Sequence, residues 1–129
     1  MAPHNKIEIE KSKLLLAEGA DAFYFFIWAC GTFGVDDVQV MNFGGITDLT
    51  AYLKALPLFS GYEQVNTIVV ARDAENNPIA AVNNVKKSLQ QAKLPVPGKP
   101  FEFTGNVPRV AFMIFPGFEN SLGKIGGRR

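Results

Sequence analysis

An α/β domain is what this sequence predicts: one mostly parallel sheet of four to five strands with helices on both faces. Three observations point to it. Short apolar or β-branched segments alternate with segments whose apolar residues recur at helical spacing. Glycine or proline punctuates most junctions between them. The 129 residues are 47% hydrophobic and 19% charged, which suits one domain with one core and excludes a disordered chain.

The elements come in order. Residues 13–17, Lys-Leu-Leu-Leu-Ala, form a continuous apolar run of the kind found in strands buried on both faces. Gly19 interrupts the run, and Asp21 is placed to cap the next helix. The run from Ala22 to Cys30 is apolar nearly all round, which predicts a heavily buried helix. Its aromatics Phe23, Tyr24, Phe25, Phe26 and Trp28 read as core rather than as a base-stacking platform. Gly31 and Gly34 end it. Residues 38–42 make the second strand, and Gly44 and Gly45 break the chain again. Thr47 is an N-cap for a helix over 48–55, where Leu49, Tyr52, Leu53 and Leu56 form one stripe and Pro57 stops it. Residues 67–71, Thr-Ile-Val-Val-Ala, are the clearest strand, being mostly β-branched. Asn77 caps a third helix with Pro78 at its first position. Val82, Val85 and Leu89 are its buried face, and it ends before Pro95. A short edge strand is expected at 99–103 and a last buried strand at 110–115, closed by Pro116 and Gly117. The chain thus divides into an N-terminal extension (1–12), the α/β domain (13–117) and a flexible or truncated C-terminal tail (118–129).

Composition removes several function classes. A net charge of +1 and a pI of about 7.8 exclude a strongly basic nucleic-acid coat, but not a local site held through metal ions. The single cysteine, Cys30, makes no internal disulfide, and a reducing cytoplasm is the expected location. The longest apolar run, residues 22–30, falls short of the about 20 residues that span a bilayer. His4 is the sole histidine, which argues against a histidine-based triad or a typical zinc site. No Walker A sequence occurs, so ATP hydrolysis by the chain alone has no support.

Open parallel sheets place ligands outside the carboxyl ends of their strands. Glu18 follows the first strand, Asn42-Phe43-Gly44-Gly45 the second, and Arg72-Asp73-Ala74-Glu75 the third. If the first and third strands are neighbours, Glu18, Asp73 and Glu75 converge. Such carboxylates repel unless a cation joins them, and Mg²⁺ or Mn²⁺ is the natural one for oxygen donors. Asp73 and Glu75, at i and i+2 in extended backbone, point the same way. Arg72 points elsewhere or pairs with one of them. Simple solvation of strand-to-loop junctions is the alternative account of the same acids. Gly44 and Gly45 either offer N–H groups to an anion or only permit a tight turn. Lys86, Lys87 and Lys93 are a solvated helix face, or with Arg72 and Arg109 a weak basic rim for a phosphate backbone.

Leu15-Leu16-Ala17-Glu18-Gly19 after the first strand, the glycine pair after the second, and Asp73-Ala74-Glu75 after the third resemble the Toprim domain of topoisomerases, primases and OLD-type nucleases. The likeness covers residues 13–115 and is greatest to the small stand-alone bacterial relatives of the OLD-type proteins. It implies a single three-layer, Rossmann-like domain acting on nucleic-acid phosphodiester bonds with Mg²⁺ (or Mn²⁺), as a nuclease or nuclease-related protein. By the same resemblance Glu18 handles a proton, and Glu18, Asp73 and Glu75 form the metal set. Three positions depart from the pattern. Glu75 stands where the family usually has aspartate, and Ile46 and Thr47 stand where its small members often carry a basic residue. No topoisomerase tyrosine can be assigned among Tyr24, Tyr52 and Tyr62. The alternative reading is a non-catalytic metal-binding or interaction module working with a partner ATPase or nuclease. The apolar excess, a mean hydropathy of +0.08, adds a homodimer to the expected partners, and no membrane.

Overall fold

The computed structural model describes residues 7–74 and 76–115. The elements run β1 (Lys13–Glu18), α1 (Gly19–Thr32), β2 (Val38–Gly44), α2 (Leu49–Ala55), β3 (Thr67–Asp73), α3 (Pro78–Gln91), β4 (Thr104–Gly105) and β5 (Arg109–Phe115). The five strands form one sheet in the order β2-β1-β3-β5-β4. β1 pairs in parallel with both β2 and β3, β3 in parallel with β5, and β4 alone is antiparallel. This is an α/β fold with a mostly parallel sheet, an arrangement compatible with a Rossmann-like domain. The expected tail at 118–129 lies outside the described residues, and no helix among those described is long and apolar enough to cross a membrane.

Strand alternation sorts the interior into two clusters. Leu14 and Leu16 of β1, Ile68 and Val70 of β3, and Val110 and Phe112 of β5 pack with Leu49 and Leu53 of α2 and Val85 and Leu89 of α3. The intervening residues Leu15, Ala17, Val69, Ala71, Met113 and Phe115 pack with Ala22, Phe23, Phe26 and Cys30 of α1. β1 and β3, central in the sheet, are buried along almost their whole length. That is why their sequences read as unbroken apolar runs.

The helix starts have distinct causes. Asn77 Oδ1 accepts the Ala80 N–H at 3.0 Å, capping α3 as the sequence predicts. Thr47, expected as a cap, lies inside a short 3-10 turn at Ile46–Asp48 instead. Asp48 is the residue before α2 and makes no side-chain cap bond to it; its Oδ2 instead reaches back across the 3-10 turn and accepts the Gly45 N–H at 2.8 Å. Asp21 sits in the first turn of α1 without capping it. The Gly19 N–H is met from the neighbouring strand, by Asn42 Oδ1 at 3.2 Å.

Two expectations need correction. Residues 99–103 form no strand, and the edge strand is Thr104–Gly105. Pro100 lacks an N–H for a ladder, and Phe101 adopts φ 65°, in the left-handed region, which no strand accommodates. The second concerns α1. It forms, and is longer than predicted, but Ala22 is its one fully buried residue. Tyr24 is 66% exposed, Phe25 42% and Trp28 59%. A helix lying on one sheet presents only one face to it, and among the described residues no second element covers the other side.

Candidate functional site

The register decides what meets at the strand ends. Ala17 of β1 lies opposite Ala71 of β3, so Glu18 arrives beside Arg72 and Asp73. On its other side β1 slips register between Ala17 and Glu18, pairing Glu18 with Gly44 of β2. A bulge of this kind re-aims the side chain next to it. Glu18 Oε1 accepts the main-chain N–H of Asp73 at 2.9 Å and lies 3.1 Å from Arg72 Nε. The Arg72 Nε–H does not point along that line, so the second contact is an ion pair rather than an aligned hydrogen bond.

Arg72 follows Ile68 and Val70 on the α3 side of β3, and its side chain is 4% exposed. There its Nη1 donates to Asn84 Oδ1 of α3 at 3.0 Å. Asp73 follows Val69 and Ala71, towards the α1 side. Glu18 therefore meets Asp73 through backbone, while its charge is met by Arg72. The extended strand ends here: the Ala74 N–H donates to Phe115 O at 2.8 Å, and the Asn77 N–H turns back to Ala74 O at 2.9 Å. Glu75 lies outside the described residues. Among those described, no group of three His, Cys, Asp or Glu side chains is placed to hold a metal ion.

The end of β2 is a side-chain-stitched turn. Asn42 Oδ1 accepts the Gly44 N–H at 2.8 Å as well as the Gly19 N–H, and Asp48 Oδ2 accepts the Gly45 N–H. Gly44 has φ +96°, and a Cβ there would stand 2.7 Å from Asp48 Oδ2. Glycine is thus required by the turn, and both N–H groups considered for an anion are engaged by side chains of the same turn.

The basic rim does not assemble. Arg72 is buried, and Arg109 opens β5 at the opposite end of the sheet from Glu18. Its guanidinium lies 4.3 Å from the centre of the Phe103 ring, and its Nε–H donates to Thr67 Oγ1 at 3.3 Å. What surrounds the strand ends is acidic, with Asp21 and Asp48 in the first turns after β1 and β2. Burial raises the Tyr52 and Tyr62 phenols, and the hydrogen bond and charge of Lys13 lower the Asp37 carboxyl.

Sequence reasoning missed Asn42 and Asn84, whose side chains tie the strand ends to their neighbours. Their signal was weak: an asparagine inside a helix has low propensity and invites the question of what it bonds. A scan against protein-family models matches none, and searches of curated proteins and of solved structures find no match.

Proposed function

We propose that the chain is a three-layer, Toprim-like, Mg²⁺- or Mn²⁺-dependent protein acting on nucleic-acid phosphodiester bonds, as a nuclease or nuclease-related protein. The observation that carries the reading is the Glu18 Oε1 to Asp73 N–H contact, which ties an acid after one strand to an acid after its parallel neighbour. The donor chemistry fits the ion. Mg²⁺ takes oxygen ligands and commonly one or two carboxylates, completing its shell with water and phosphate oxygens. Arg72 offsets one of the two charges of Glu18 and Asp73, so the centre stays acidic without demanding a high-affinity cage.

In this reading Asp73, with Glu75 and Glu18, would hold the ion, which supplies charge stabilisation at a phosphoryl oxygen. Glu18 is the residue that moves the proton. Arg72 is a positioning residue: anchored by Asn84, it holds the Glu18 carboxylate against the end of β3. The phosphate grip expected of Gly44 and Gly45 plays no part in this reading, because their N–H groups serve the turn.

Calorimetric titration with Mn²⁺ tests it. Wild type should bind with micromolar affinity, and Asp73→Asn should lose about 100-fold of it. A nuclease screen then uses Glu18→Gln as its control, with activity expected to vanish while metal binding weakens less. Folded wild type that binds no Mn²⁺ sinks the reading. That outcome would favour the second one, an interaction module serving a partner ATPase or nuclease, for which the engaged glycine N–H groups are the specific observation.

A further inference from the structure

The most conspicuous surface lies away from the acidic centre. Tyr24, Phe25, Ile27 and Trp28 project from the outer side of α1, and Phe33 (74% exposed) and Val35 (40%) continue the patch beyond its C-terminus. Phe25 and Trp28, one turn apart, are in ring contact with centroids 6.0 Å apart. At about 150–250 Å² for a whole aromatic side chain, the exposed fractions of these six residues leave on the order of 600 Å² of apolar surface in water. That is the upper end of what a monomer tolerates as one patch.

We propose that this face is a homodimer interface, in which the projecting aromatics of one copy enter the cleft beside α1 on the other. Three observations select a second copy. The same face carries both halves of a contact: beside the projecting rings runs an open cleft of about 460 Å³, lined on its apolar walls by Ile27, Cys30, Val35, Val38 and Val40. A two-fold axis through such a face brings knob to cleft twice over, as an isologous interface requires. The area is sufficient: roughly 600 Å² from each copy gives about 1,200 Å², and polar rim then carries it into the range of a stable interface. The charges suit it too. Glu10, Lys11 and Asp36 line the cleft, so the Lys11 of one copy comes into reach of an acid of the other across the axis.

Other occupants fit less well. Asp21 is the one charged residue in α1. A nucleic acid would need phosphate-neutralising cations, and an interfacial membrane helix is ordinarily rich in Lys and Arg on its polar face.

The test uses the full chain and its single tryptophan, Trp28. Light scattering and sedimentation should give twice the 14.1 kDa chain mass, dissociating on dilution. Trp28 emission should shift to the red as the protein is diluted, because the ring passes from interface to water. Trp28→Glu should weaken dimerisation at least tenfold with unchanged far-ultraviolet circular dichroism. Leu58→Glu, at a residue 84% exposed elsewhere, should leave the dimer intact. If Trp28→Glu fails to fold, the dilution series on wild type still decides. A wild type monomeric at every concentration overturns the proposal. So does a dimer whose Trp28 emission ignores dilution, and so does a monomer whose emission moves only on adding phosphatidylcholine vesicles.

Discussion

Arg72 sets a guanidinium against one of the carboxylates that the sequence offers to a metal ion. Its side chain is 4% exposed, it faces Glu18 at 3.1 Å, and Asn84 holds its other end. Breaking a buried pair costs more than forming it gains, because the remaining charge keeps its desolvation penalty without a partner. Arg72→Met should therefore cost about 3–5 kcal/mol of stability at neutral pH. Glu18→Gln should cost less, since that side chain keeps 12% of its surface in water. The double variant should lose clearly less than the two single losses added together. Urea unfolding of the four proteins reads this directly, and strict additivity would show that the two groups are not coupled. Much of the arrangement was legible. The alternation Ile68, Val70, Arg72 already sends Arg72 to the same side as the core residues of β3. What could not be read was the bulge before Glu18 or the choice of Asn84 as anchor, because both depend on how separate elements register against one another.

The helices show where local rules hold and where they stop. The start of α3 was readable from Asn77 and Pro78, since a cap and an N1 proline act within one turn. Its end is equally local. The Lys93 N–H donates to Gln90 O and the Leu94 N–H to Leu89 O, both at 3.0 Å, a Schellman pair with Lys93 in the left-handed conformation at φ 63°. Glycine is the usual occupant of that position. A left-handed conformation costs an L-residue about 1–2 kcal/mol, and the extra backbone entropy of glycine returns roughly 0.5–1 of it. Lys93→Gly should therefore raise stability by about 0.5–1 kcal/mol, whereas Lys93→Ala should not; thermal unfolding of both variants distinguishes the cap from loss of the lysine charge. For α1 the same reasoning gave the helix and missed its exposure. A run apolar all round announces that every side needs a cover. It does not say whether the cover comes from the same chain.

The fold is strongly asymmetric about its sheet. On one side α2 and α3 close over the larger cluster, in which Leu16, Ile68, Val70 and Phe112 are fully buried. On the other, α1 covers β1 and β2, and among the described residues the loop residues Phe101 and Phe103 lie beside Val69 and Met113 of the β3–β5 region. Stability should therefore have two sources with different signatures. Leu16→Ala strikes the closed side and should cost about 2–5 kcal/mol at any protein concentration. Cover supplied by a second copy obeys mass action instead: above the dissociation constant, each tenfold rise in protein concentration should stabilise the dimer by roughly 1.4 kcal/mol. Urea midpoints measured at two concentrations a hundredfold apart should rise for wild type and for Leu16→Ala alike, and rise less for Trp28→Glu. A wild-type midpoint that ignores concentration would mean that the α1 side is stable with its aromatics in water, held by its own buried cluster of Leu15, Ala17, Ala22, Val40 and Ala71.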